Sequence, residues 1–192
     1  MLVFVLLIIL VLVFYPYIFA LVANGRMISK LRRIAKREAY RIIPLRKFLW
    51  IPKACSGEYD FLIDGRGQVM AVKLVSAIRK NYLLVVRPDS TATVSAVESR
   101  PMKIHPDSQE MRAIRSPIKL SDIKENFNVN DKKQSEKVIL VYPSFAKIIF
   151  FDGRTEATLG SGDTVFSHTI YTPYGLEQKM CASSKALPSS ND

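Results

Sequence analysis

The order of apolar and polar positions divides the chain into three stretches. Residues 1–23, "MLVFVLLIILVLVFYPYIFALVA", carry no charged side chain. At ~1.5 Å per residue a helix of this length reaches about 34 Å, enough to cross a hydrocarbon core of about 30 Å. Pro16 predicts a kink rather than a stop, because neighbours can satisfy the carbonyl that a proline frees within a membrane helix. In "RMISKLRRIAKREAYRII", 26–43, Met27, Leu31, Ile34, Ala35, Glu38 and Ile42 recur at three- and four-residue spacing. That period predicts an amphipathic helix closed by Pro44, lying on a bilayer or packed on a domain.

The third stretch is rich in β signals. Residues 58–63, 69–76 and 82–87 are dense in Val, Leu, Ile and Tyr, and "DGRG", 64–67, is a tight turn between the first two. "ATVSAV", 92–97, adds a short strand. A polar region from Glu98 to Glu136 holds prolines at 101, 106 and 117, with a loosely helical period over 118–127. "KVILVYP", 137–143, is the most apolar strand and is expected at the centre of a sheet. The run from Ala146 to Thr172 predicts strand, turn, strand, Gly-rich turn, strand. The glycines at 160 and 162 suggest a phosphate loop, but β-branched and aromatic residues follow them where a helix N-terminus is needed, so a hairpin turn is expected. Residues 182–192 lack apolar content and are expected to be disordered.

Charge changes the picture only when mapped. The net charge of +11 belongs almost entirely to residues 24–53, where ten basic side chains face one acid, Glu38; residues 54–192 carry 18 basic and 16 acidic side chains. A basic collar beside an apolar span marks the cytoplasmic side of a membrane. Arg26, Lys30, Arg32, Arg33, Lys36, Arg37 and Arg41 are the expected contacts to anionic lipid headgroups, with nucleic acid a less favoured partner. A cleaved signal peptide is a poorer fit, because no basic segment precedes the apolar run and no small-x-small site ends it. Cys55 and Cys181 read as reduced thiols on the cytoplasmic side. His105 and His168 have no ligand at zinc spacing, and no G-x-S-x-G elbow occurs.

The candidate chemistry lies in "YDFLIDGRGQVMAVKL", 59–74. Asp60 opens one strand and Lys73 stands near the end of the next, with Ala71 two residues before it. Alternation places Glu58 and Asp60 on one face of their strand, and Asp64 sits at the turn. This order of amphipathic helix, hairpin, further strand, possible helix and apolar strand, over about 26–142, resembles the restriction-endonuclease-like, or PD-(D/E)XK, nucleases, including archaeal Holliday-junction resolvases. The resemblance implies magnesium held by Asp60 and an acid at position 71, water aligned by Lys73, and the helix glutamate supplied by Glu38. Ala71 departs from that pattern, since a methyl group cannot ligate a hard cation. The hairpin and the late "GSGD" also resemble small membrane-anchored bacterial proteins of unknown function.

The expected architecture is α+β: a transmembrane helix at 1–23, a basic juxtamembrane helix and linker at 24–53, a cytoplasmic mixed-sheet domain with C-terminal hairpins at 54–181, and a tail at 182–192. The expected function is a single-pass, membrane-anchored, non-catalytic interaction module without a metal or other cofactor, acting on an unknown protein partner. The alternatives are a membrane-tethered, magnesium-dependent nuclease using Glu38, Glu58, Asp60 and Lys73, and a lipid- or nucleic-acid-binding module without catalysis.

Overall fold

The computed structural model describes residues 2–47, 57–76, 82–96, 112–113, 117–125, 127, 133–142, 145 and 147–185. In chain order these form α1 (Leu2–Arg37), β1 (Arg41–Pro44), β2 (Phe61–Gly65), β3 (Gln68–Val75), β4 (Tyr82–Val86), β5 (Thr91–Ala96), β6 (Arg112–Ala113), β7 (Ile118–Lys119), a 3-10 turn at Leu120–Asp122, β8 (Gln134–Val141), β9 (Lys147–Phe151), β10 (Glu156–Thr158), β11 (Thr164–Val165), β12 (His168–Tyr171) and α2 (Pro173–Lys185). The class is α+β, with two mixed sheets.

The first sheet runs β1-β2-β3-β8-β12-β11, and the second runs β10-β9-β4-β5-β6 with β7 also on β5. β8 lies between β3 and β12 and is parallel to both. Its apolar run, which the sequence places at the centre of a sheet, is buried on both faces there, as parallel strands require. Alternation along β3 then sorts the core. Met70, Val72 and Leu74 face α1 and α2, against Met27, Leu31, Ile34, Leu176 and Met180. Val69, Ala71 and Val75 face the second sheet, against Leu84, Val86, Val94 and Ile148. The layers are therefore helices, first sheet, second sheet.

Three expectations are corrected. The helix expected over 26–43 ends at Arg37, and it continues unbroken from the apolar segment before it. Ala39 adopts φ 58°, which turns the chain, and the β-branched Ile42 and Ile43 then run antiparallel to β2. Pro44 ends an edge strand, where its missing N–H costs no ladder bond. The helical face of 24–37 belongs to the core, through Met27, Ile28, Leu31, Ile34 and Ala35. Second, 118–127 is β7, one 3-10 turn and an isolated bridge between Glu58 and Lys124. Third, the tail expected from 182 continues α2 to Lys185. The signal for α2 was present: Gly175 N–H donates to Thr172 Oγ1 at 3.1 Å, so Thr172 caps the helix and Pro173 follows at its first position. Cys55 and His105 lie outside the described residues.

The hairpin at 64–67 forms as expected. Arg66 at φ 51° and Gly67 at φ 75° are the two central residues of a turn whose hand matches strand twist. Gly65 is the tighter constraint: a Cβ there would come within 2.7 Å of the Ala39 carbonyl and of the Tyr40 ring. This is where the reversal after α1 presses on the hairpin. Gly65→Ala is expected to cost about 1–3 kcal/mol, as overpacking does, because backbone must move. Urea unfolding checks it; a midpoint equal to the parent's would mean that the contact yields without cost.

Candidate functional site: a buried Asp60–Lys73–Arg46 cluster

The antiparallel register sets Phe61 opposite Val72, so Asp60 lies opposite Lys73 at the open end of the hairpin. Both point into the layer between the two sheets, on the same side as Ala71 and Val75. Lys73 is 0 % exposed and Asp60 1 %. Lys73 Nζ donates to the Glu58 carbonyl at 2.8 Å and stands 3.7 Å from Asp60 Oδ2. That same oxygen accepts the Leu74 amide at 2.7 Å. Arg46 Nε lies 2.7 Å from Oδ1. Arg46 arrives because Leu45 N–H donates to the Asp60 carbonyl at 3.1 Å, carrying the β1–β2 pairing one residue further. Burial pushes the Asp60 carboxyl above the usual carboxylate range, against the pull of Lys73, Arg46 and the Leu74 amide.

The cluster joins two of the four candidates for catalysis and separates the others. Glu38 pairs with Arg37 at 2.8 Å and Arg66 at 3.9 Å, beside the turn at the far end of the hairpin. A five-residue strand at ~3.3 Å per residue puts about 17 Å between that turn and Asp60. Glu38 also follows α1 on the helix side of the sheet, whereas Lys73 faces the second sheet. Glu58 is exposed and contributes its carbonyl, not its carboxylate, so the shared face expected for Glu58 and Asp60 does not form. The strand begins only at Phe61. Asp64 pairs with Lys133 at 2.6 Å. Ala71 is fully buried among apolar residues, so a glutamate placed there would be a carboxylate in a core. Among the described residues no group of three or more His, Cys, Asp or Glu could hold a metal ion.

A second polar pair, absent from the sequence reading, lies in the same layer. Tyr59 Oη and His168 Nε2 are 3.0 Å apart, and His168 Nδ1 is 2.8 Å from the Phe166 carbonyl. A carbonyl only accepts, so Nδ1 carries the proton and Nε2 accepts from the tyrosine. Burial holds the imidazole below its usual range, with Lys137 acting in the same direction and the Phe166 carbonyl opposing. Burial, with the Glu125 carboxylate adding to it, pushes the Tyr59 phenol up to about 12. Both groups are neutral near pH 7 and fully partnered.

Comparison with protein-family models, with curated proteins and with solved structures finds no match for this chain. The site must be read from its own geometry. Both Asp60 oxygens face cations or an amide; Asp60 and Lys73 are sealed from solvent, and Arg46 is partly exposed. This arrangement ties β2, β3 and the segment after β1 to one point.

Two outcomes follow for stability. Asp60→Asn is expected to cost about 3–5 kcal/mol, because it leaves Lys73 buried without its counter-charge, and Lys73→Met less, because Arg46 and the Leu74 amide still hold Asp60; Asp60→Leu combined with Lys73→Met is expected to cost less than the sum of the two. Simple addition of the two penalties in urea unfolding would show that the charges do not act as a pair. For His168, a lowered folded pKa means its contribution is full above about 6.5, the unfolded value, and is lost as pH falls toward the lower folded value. The unfolding midpoint should therefore drop between pH 7.5 and pH 5 in the parent and drop less in His168→Gln. Parallel pH profiles would remove the histidine from the account.

Proposed function

We propose that the chain is a membrane-anchored, non-catalytic interaction module whose domain stands on the cytoplasmic side. The observation that carries this reading is the continuity of α1. Met27, Ile28, Leu31, Ile34 and Ala35 are locked into the core. Earlier on the same helix Phe4, Phe14, Tyr15, Ile18, Phe19 and Val22 are 47–73 % exposed. Large apolar side chains in that number and exposure call for an apolar surrounding. Among the described residues no helix is long and apolar enough to cross a membrane; before Asn24, side chains are described only at the six just named and at Leu21 and Ala23. The anchor therefore rests on the uncharged sequence of 1–23 and on these exposed groups.

The non-catalytic part is supported by the sealed Asp60–Lys73 pair and by the distance of Glu38 from it. The order of α1, the β2–β3 hairpin and β8 supports a likeness to the restriction-endonuclease-like core, and the placement of β4 in the second sheet opposes it. The first basic residues after the apolar run, Arg26 and Lys30, are the natural contacts to anionic headgroups.

Removal of residues 2–22 is expected to release the chain from membranes resistant to carbonate extraction and to leave its thermal unfolding midpoint within a few degrees of the parent's. Removal of residues 2–37 takes five core side chains with it and is expected to abolish cooperative unfolding. An untruncated chain that carbonate extracts, or a C-terminal reporter active only outside the cell, would overturn the anchor or its orientation.

A further inference from the structure

The outer face of α1 carries more charge than a membrane contact can use. Arg26, Lys30, Arg33 and Arg37 recur at spacings of four, three and four, so they form one row along the helix, with Arg32 and Lys36 beside it. All six are exposed, opposite the side that packs on the first sheet. Lys30 reaches Glu177 at 3.0 Å and Arg37 reaches Glu38 at 2.8 Å. Among the described residues no acidic side chain pairs with Arg26, Arg32, Arg33 or Lys36.

Height decides what this face can touch. At ~1.5 Å per residue, Arg26 lies about 4 Å beyond Ala23, Arg32 about 14 Å and Arg37 about 21 Å. Headgroups fill roughly the first 5–7 Å. The screening length at physiological salt is about 8 Å. Arg26 and Lys30 are thus within reach of lipid, whereas Arg32, Arg33, Lys36 and Arg37 stand about one to two screening lengths above the headgroups. The helix cannot lie down to bring them closer, because it runs unbroken from the apolar segment that the anchor reading places across the bilayer.

We propose that Arg32, Arg33, Lys36 and Arg37 form a docking ridge for an acidic helix of a protein partner. The inference rests on the membrane-anchor reading, from which the heights are measured. Basic side chains at three- and four-residue steps match glutamates at the same steps on a helix laid alongside. The ridge from Arg32 to Arg37 is about 8 Å long, close to one and a half turns of such a helix. A nucleic-acid duplex laid along α1 from Arg37 would reach the headgroups within about five base pairs, at ~3.4 Å each, and would press phosphates against anionic lipid, whereas one and a half peptide turns over Arg32–Arg37 stay clear of them. The geometry favours the peptide.

The test uses the full chain in phosphatidylcholine nanodiscs and a fluorescein-labelled, 14-residue helical peptide with glutamates at every third and fourth position. Arg32→Glu/Arg33→Glu/Lys36→Glu is expected to weaken peptide binding at least tenfold, and Arg26→Glu/Lys30→Glu less than threefold. Including phosphatidylserine is expected to change the parent's affinity less than threefold. Equal losses in the two variants would overturn the ridge. So would loss of the peptide on adding phosphatidylserine, which would make lipid the occupant. So would a 12-base-pair duplex bound more tightly than the peptide and released by the triple variant, which would make nucleic acid the occupant. Flotation of the parent chain with liposomes is read first. A chain that does not float overturns the anchor, whereas one that floats but shows no difference between the variants overturns the ridge alone.

Discussion

A lysine in a strand buried from Val69 to Val75 is the constraint around which the first sheet is arranged. Lys73 cannot be left alone in the layer between two sheets, since an unpaired ammonium there would cost several kcal/mol. Asp60 answers it from the neighbouring strand, and only one register of β2 on β3 allows the meeting. A slip of β3 by one residue would carry Lys73 to the helix side, against Met27, Leu31 and Ile34, and would turn Met70, Val72 and Leu74 to the wrong layer. The pair also gathers what lies around it. The carboxylate holds the Leu74 amide and Arg46, the ammonium holds the Glu58 carbonyl, and so the chain before β2 and after β1 is tied to the same point.

The opposite end of the same hairpin is held by different means. There Gly65 lets Ala39 and Tyr40 approach, and Arg66 reaches back to Glu38 and over the Tyr40 ring. Charge fixes one end and close contact the other. Between them the alternation of β3 divides the protein into its two apolar layers, and α1 and α2 cover the outer one.

Much of this was legible in the sequence, because period and turn chemistry are local. The 64–67 turn, the central place of 137–141, the β9–β10 hairpin and the helical stripe from Met27 to Ala35 all follow from neighbours a few residues apart, whereas the hairpin expected at 160–162 is instead a crossing from β10 in the second sheet to β11 in the first. What was not legible depended on pairing across the chain. Arg46 read as one more basic residue of a collar, because its link to Asp60 runs through the β1–β2 ladder. The pairing of Tyr59 with His168 spans 109 residues and leaves no local trace. Glu38, Asp60 and Lys73 looked like one constellation because order along the chain resembled a known core; the sheet then put Glu38 on the other side and at the other end. α2 had its cap and its proline in plain view, but it has few apolar positions, Leu176 and Met180 among them, and no helix was read over 173–181.

The unbroken passage of α1 from exposed apolar residues into the core also sets a phase. A flexible linker would let the apolar segment and the domain turn independently. Here the side of the helix that meets the first sheet is fixed relative to every residue before it. Each residue inserted or removed between Val22 and Met27 would rotate the domain about the helix axis by about 100° and shift it along that axis by about 1.5 Å. The direction in which the domain faces is thus counted out in residues of a single helix.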